Sequence, residues 1–205
     1  LIKGHRLALD WARDLKTHLS RRYSVTKEPL FRALKLKGDD YSSNYLVDSS
    51  LGTGKDACLL LSFKCHLLCY ERNPYVFALS LWSYQQATNS SDRKVAEIFS
   101  NHMEIRFGDA LSDDNIDERF QKCFFDPMYE AKAKSALSRK EMEVFKKAVG
   151  SDPDQEDYLE GLIQKFSFVC LKRPIKARHI SFKEANIQVI SFSGKSTRYD
   201  RYFLP

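Results

Sequence analysis

Four consecutive residues, Asp126-Pro127-Met128-Tyr129, carry the most pointed chemistry in the chain. They follow an apolar run, Cys123-Phe124-Phe125, that reads as a buried strand. An acid, a proline and an aromatic at the carboxyl end of a strand form a grip for a planar amine. The Asp126 carboxylate and the Pro127 carbonyl oxygen can each accept a hydrogen bond from an NH2 group. Tyr129 can stack on the ring that bears the amine. A strand followed by a proline turn is common, so the tetrapeptide gains meaning only with a second element beside it.

That second element lies upstream. Asp48-x-x-x-Gly52-Thr53-Gly54 joins a short strand, Tyr45-Leu46-Val47, to a helix expected from Lys55 to Phe63. Glycines let the backbone approach a ligand closely. Nineteen positions after Gly52, Glu71 ends a second strand, His66 to Tyr70, and a carboxylate there can hold both hydroxyls of a ribose. Asp109 follows a third strand, Met103 to Phe107, and is placed to reach an adenine edge. Ligands of open α/β sheets bind beyond the carboxyl ends of the strands, where Asp48, Glu71, Asp109 and Asp126 all fall. A phosphate-cradling P-loop is excluded twice, because Ser49 takes its first glycine position and Asp56 follows Lys55. The dinucleotide fingerprint Gly52-x-Gly54-x-x-Ala57 is permitted, so the glycines alone admit a nicotinamide cofactor or S-adenosylmethionine (SAM). Asp48 and the tetrapeptide favour SAM. Segments of the type Asp/Asn-Pro-Pro-aromatic grip exocyclic amines in enzymes that methylate them.

The remaining elements must position these residues. Helices are expected over Pro74–Ala87, Ser135–Val149 and Gln155–Gln164. A fourth strand is expected over Phe120–Phe125 and a fifth over Phe166–Leu171, stopped at Lys172-Arg173-Pro174. Ile187–Phe192 and Tyr199–Leu204 flank Ser193-Gly194-Lys195 as a terminal hairpin. The first forty residues are helical and amphipathic in parts, with Leu30, Phe31, Leu34 and Leu36 as anchors and Lys37-Gly38-Asp39-Asp40 as a helix stop. Strands alternating with helices argue for a parallel sheet covered on both faces. Tyr75, Phe77 and Trp82 read as packing residues, and His18, His66, His102 and His179, lacking visible partners, receive no role.

Composition bounds the rest. A chain of 205 residues with 43% hydrophobic content suits one domain with a sizeable core. No apolar run approaches the roughly 20 residues of a membrane span. No secretory signal is visible, and the chain opens on Leu1 rather than Met. Five cysteines, 58, 65, 69, 123 and 170, form no Cys-x-x-Cys pair and sit in apolar stretches, as reduced thiols of a cytoplasmic protein do. Cys65, His66 and Cys69 share one strand without a second ligand cluster, so no metal is expected. The net charge of +6 is segregated. Residues 1–38 hold ten Lys/Arg against three acids, and residues 170–205 hold eight against two. Such segregation suits a polyanion.

Taken together, Asp48…Gly52-Thr53-Gly54-Lys55-Asp56-Ala57, Glu71-Arg72-Asn73-Pro74, the tetrapeptide, Lys134-Ser135-Ala136-Leu137 with Lys140-Glu141-Met142, and Lys172-Arg173-Pro174 form a distinctive order. The chain resembles the bacterial 16S ribosomal RNA guanine-N2 methyltransferases of the small ribosomal subunit, from about Leu36 to its end, with a fainter echo in residues 8–27. The resemblance implies a Rossmann-like class I fold: a mostly parallel seven-stranded sheet ending in an antiparallel hairpin over residues 41–205. A basic helical extension, residues 1–40, would pack on it. It implies SAM contacts at Lys55, Asp56, Glu71, Arg72, Asp109, Ala110 and Asp126, beside Asp48, Gly52 and Gly54. Lys55 stands where the family usually has Arg, Gly108-Asp109-Ala110 replaces a Ser-rich pair, Glu130 replaces a proline, and Ser24-Val25-Thr26-Lys27 replaces a Gly-rich basic segment. The implied reaction methylates the N2 of a guanine in 16S ribosomal RNA, free or in the small subunit. Asp126 and Pro127 would hold the amine and Tyr129 would receive the extruded base. Lys132, Lys134, Arg139, Lys140, Lys172 and Arg173 would hold phosphates. No metal or membrane is implied. Alternatives on the same residues are methylation of adenine or of a protein glutamine, and a non-catalytic RNA-binding module.

Overall fold

The apolar runs of the sequence assemble into a seven-stranded sheet in the spatial order Met103–Phe107, His66–Glu71, Tyr45–Asp48, Lys122–Phe125, Phe168–Pro174, Thr197–Phe203, Gln188–Ser193. The computed structural model describes residues 9–21, 23, 27–37, 43–127, 154–182 and 186–205. Met128, Tyr129, Glu130, Lys132, Lys134, Arg139, Lys140, the helix expected over 135–149, residues 24–26 and the helix stop at 38–40 lie outside the described residues. In chain order the elements are α1 (Trp11–Ser20), α2 (Pro29–Ala33), β1 (Tyr45–Asp48), α3 (Lys55–Ser62), β2 (His66–Glu71), α4 (Pro74–Thr88), α5 (Arg93–His102), β3 (Met103–Phe107), β4 (Lys122–Phe125), α6 (Gln155–Lys165), β5 (Phe168–Pro174), β6 (Gln188–Ser193) and β7 (Thr197–Phe203).

β1 to β5 are parallel, and β7 runs antiparallel between β5 and β6. The central strands are short and almost continuously apolar because both of their faces are covered. Alternation sorts them between two cores. Leu46, Leu67, Cys69, Phe124, Phe168 and Cys170 point to the face packed by α1, α2, α3 and α5. Val47, Leu68, Tyr70, Cys123, Phe125, Val169 and Leu171 point to the face packed by α6. All five cysteines are buried and free. Among the described residues, no helix is long and apolar enough to cross a membrane.

Several expectations shift. α5 has no counterpart in the sequence reading, although Asp92 caps it and Val95, Ile98 and Phe99 form its buried stripe. β4 begins at Lys122 rather than Phe120, because a turn bond from the Phe120 N–H to Asp117 O holds Phe120 off the ladder. Phe166 closes α6 by donating to Leu162 O, so β5 starts at Phe168. β5 does not stop at Lys172: it continues through Pro174, because β7 supplies partners as far as Thr197. Proline is tolerated on that last rung, where the ladder ends.

Tyr75 and Trp82 do not pack as expected and are 76% and 61% exposed. α4 buries its small residues, Val76, Ser80, Ser83 and Ala87, and turns Tyr75 and Trp82 outward. Phe77 does pack, against Phe107 at 5.3 Å. The histidines have partners: His18 meets Tyr23, His66 meets His102, and His179 lies 3.5 Å from Asp200.

Candidate active site

The strand register gathers the acids before any side chain is considered. Asp48 ends β1 opposite Cys69 of β2 and Phe124 of β4. Phe125 of β4 opposes Leu171 of β5, so the next residues along, Asp126 and Lys172, come side by side. Asp48, Glu71, Asp126 and Lys172 all share the parity of the strand residues that face α3. Asp56, in the first turn of α3, joins them from above.

The glycine turn is tightly braced. Gly52 and Gly54 adopt left-handed φ of 53° and 72°. A Cβ on Gly54 would lie 2.4 Å from the indole of Trp11, closer than real contacts allow. The Trp11 Nε1–H donates to Thr53 O at 2.9 Å, and Ser80 Oγ donates to Gly52 O at 3.0 Å. Glu71 accepts from the Gly52 N–H at 2.9 Å and from the Asn73 N–H at 2.8 Å, which ties β2 to the turn. Ser50 Oγ accepts from the Asp126 N–H at 2.7 Å, which ties the turn to β4. Trp11 and Ser50 had no place in the sequence reading. The i+2 parity on β5 was a usable signal for Lys172, but nothing local announced Trp11.

At the centre, the Lys172 ammonium donates to Asp56 Oδ2 at 2.5 Å and to Asp126 Oδ2 at 2.9 Å. Burial would lower the Lys172 pKa, but Asp56 and Asp126 reverse this and raise it. Burial pushes Asp126 up to about 7; the Lys172 charge opposes that rise and Asp56 adds to it. Asp48, 1% exposed, is pushed up to about 8 by burial, against the Ser50 N–H bond and with Asp56, Asp126 and Glu71 adding to the rise. Tyr199, opposite Lys172 on β7, completes the floor, its hydroxyl pKa raised by burial and by Asp56. With Asp48 protonated at neutral pH, Asp56, Asp126 and Glu71 still outnumber the Lys172 ammonium, which makes a site suited to a small organic cation.

The other sequence candidates divide. Lys55 opens α3 beside the turn, and Pro127 is buried directly after Asp126. Arg72 clamps Asp154 through two bonds of 2.8 and 2.9 Å and lies 5.3 Å over the Tyr158 ring. Asp109 caps its own turn, accepting from the Leu111 and Ser112 N–H groups, and Ala110 is buried with its N–H donated to the Tyr158 hydroxyl. Lys172 is held between carboxylates, and Arg173, its neighbour on β5, takes the opposite face.

A raised carboxyl pKa has a consequence for stability. Between the ordinary value near 3.9 and about 8, folded Asp48 holds a proton that the unfolded chain releases. Its contribution to stability therefore falls as pH rises through that window. Asp48→Asn is expected to be more stable than wild type at pH 8, by about 1–3 kcal/mol, with the difference vanishing near pH 4. Denaturant midpoints at both pH values test this. Equal differences at the two pH values would show that burial of the charge is not the cause.

Comparison with known proteins fits this geometry. The family model SAM_MT, described as "Putative SAM-dependent methyltransferase", matches residues 2–204. A ribosomal RNA small subunit methyltransferase J from Hahella chejuensis is 34% identical over 178 residues, covering 86% of this chain and 64% of the relative. Its counterpart from Thioalkalivibrio sulfidiphilus is 34% identical over 185 residues, covering 88% of this chain and 69% of the relative. The chain thus spans about two thirds of the length of these relatives. A SAM-dependent methyltransferase from Neisseria gonorrhoeae superposes with a TM-score of 0.70 at 20% identity, over 100% of this chain and 77% of its own, which shows a shared fold. With its full length matched by the family model and most of it by these relatives, the chain belongs to the family of SAM-dependent methyltransferases, alongside the ribosomal RNA small subunit methyltransferase J proteins.

Proposed function

We propose that the protein transfers a methyl group from SAM to the exocyclic N2 of a guanosine in 16S ribosomal RNA of the small subunit. One observation carries this reading most directly: Asp126, followed by Pro127, sits at the end of β4 beside the two-glycine turn and across from Glu71's strand. An amine grip and a nucleoside-binding turn thereby share one rim.

The chain's own chemistry suits SAM. The left-handed glycines bring bare backbone to the site, and Gly54 has no room for a side chain. Asp48, Gly52, Gly54, Lys55 and Asp56 would line the methionine side. Glu71, whose two oxygens each accept one backbone N–H, keeps further lone pairs for ribose hydroxyls. Asp109, Ala110 and Arg72 would border the adenine. Bound SAM supplies a methyl group on a positively charged sulfur. The acid cluster favours that cation.

A guanine amine is a poor nucleophile because its lone pair is delocalised into the ring. Asp126 and the Pro127 carbonyl accept its hydrogens and fix the nitrogen, so positioning supplies much of the acceleration. Tyr129 would stack on the extruded base. Lys132, Lys134, Arg139, Lys140, Arg173 and the basic extension, residues 1–40, would hold phosphates. The buried free thiols suit a cytoplasmic setting.

The test is transfer of isotopically labelled methyl from SAM to deproteinised ribosomal RNA, small subunits and DNA in parallel, with calorimetry of SAM alone. Label recovered as N2-methylguanosine is expected. Incorporation into adenine alone would change the target, and absence of SAM binding would leave only an RNA-binding module.

A further inference from the structure

We propose that Lys172 is a positioning residue of the reaction, which holds Asp126 as an ionised, fixed hydrogen-bond acceptor for the substrate amine and shares its own charge with Asp56. This rests on the methyltransferase reading and deepens it. Sequence alone groups Lys172 with Arg173 as a phosphate contact, but the fold separates the pair. Because β5 runs on to Pro174 and pairs with β7, Lys172 is set opposite Tyr199 and beside Asp126, with its side chain on the α3 face. Its side chain is three-quarters enclosed, and its ammonium spends two donors on Asp126 and Asp56, at 2.9 and 2.5 Å. A lysine committed in this way is a poor anchor for a mobile phosphate.

The chemistry makes Lys172 consequential. A carboxylate grips an amine only as an acceptor, and a protonated carboxyl turns one oxygen into a donor. Burial and Asp56 from α3 oppose the ionisation of Asp126, Asp48 of β1 interacts with it and with Glu71 of β2, and the Tyr199 hydroxyl of β7 stays protonated and brings no charge. Among the described residues, Lys172 is the cation that contacts it. Removing Lys172 therefore moves Asp126 toward its protonated, inactive form at neutral pH. Asp56 acts in the opposite sense: it draws on the same ammonium and adds a repelling charge. The two neighbours thus make predictions of opposite sign.

The experiment measures kcat and KM between pH 6 and 9 for wild type, Lys172→Met and Asp56→Asn, on the RNA substrate that wild type methylates. SAM affinity is measured by calorimetry and RNA affinity at two salt concentrations. For Lys172→Met, kcat at pH 7 is expected to fall roughly tenfold and the acid limb of the profile to move up by about one unit or more, so that activity recovers at higher pH. RNA affinity and its salt dependence stay as in wild type. For Asp56→Asn the acid limb moves down. An unmoved limb in Lys172→Met overturns the proposal, as does a loss confined to KM with a shallower salt dependence, the mark of a phosphate contact. If Lys172→Met does not fold, Asp56→Asn decides: a limb that stays or moves up overturns it. A wild type that neither binds SAM nor transfers methyl would sink the methyltransferase reading itself, whereas an active wild type with unshifted variants would sink only the role of Lys172.

Discussion

Asp126→Ala is expected to lower methyl transfer by about 10²- to 10⁴-fold while leaving the protein folded and SAM affinity within about tenfold of wild type. The rate loss follows from the grip: without the carboxylate, only the Pro127 carbonyl remains to orient the amine, and an unoriented nitrogen loses the advantage of being held in line. Survival of the fold follows from electrostatics. Burial pushes Asp126 up to about 7, so at neutral pH its environment already disfavours the charge. Removing it relieves that cost, and Lys172 keeps its 2.5 Å bond to Asp56. Asp126→Asn should fall between the two, because an amide oxygen accepts but its NH2 opposes the incoming donor. Single-turnover transfer and thermal unfolding measured on the same preparations provide the check. Activity within a few-fold of wild type would remove Asp126 from the centre of the mechanism.

Gly54→Ala is expected to cost about 3 kcal/mol of stability and to weaken SAM binding more than tenfold, and two effects combine in it. A φ of 72° is strained for any residue with a Cβ, worth about 1–2 kcal/mol. The new Cβ would also meet Trp11 at 2.4 Å. Trp11 is 1% exposed, stacks on Phe99 at 6.2 Å and donates to Thr53 O, so it cannot yield without loosening both the core and the turn. Gly52→Ala is the control. It is also left-handed, yet its Cβ would meet only Ser50 O at 3.7 Å, so the cost should be confined to backbone strain. Chemical denaturation of both variants separates the effects, and a double mutant with Trp11→Ala should cost less than the sum of its parts. Equal destabilisation at the two glycines would show that Trp11 does not brace the loop.

The same bracing changes the meaning of the N-terminal region. Its charge suits a polyanion, but α1 also buries Trp11 and Leu15 in the core that carries the sheet. Loss of α1 would therefore loosen the glycine turn, whatever it does to charge.

The acids of the candidate site were legible because each marks a strand end. Asp48, Glu71 and Asp126 follow apolar runs, and an apolar run ending at an acid needs no tertiary information to be found. The alternation of strands and helices likewise anticipates the parallel sheet with its one reversed strand. α5 went unread although its stripe of Val95, Ile98 and Phe99 was present, because it sits among polar residues that suggest a loop. Tyr75 and Trp82 of α4 misled, since hydrophobicity alone does not say which side of a helix apolar on several faces is covered.

The order of residues along the chain was enough to settle the class of sheet and to single out the two-glycine turn and the strand-end acids as a candidate site, because these depend on short-range periodicity and on residues adjacent in sequence. Tertiary structure decided the partners: Lys172 between Asp56 and Asp126, separated from them by 116 and 46 positions, and Trp11 against the turn at Thr53, 42 positions away. Such contacts depend on strand register and on the path of the first helix, which long-range packing fixes: parity along β5 could give the face of Lys172, but not its partners, and nothing local announced Trp11.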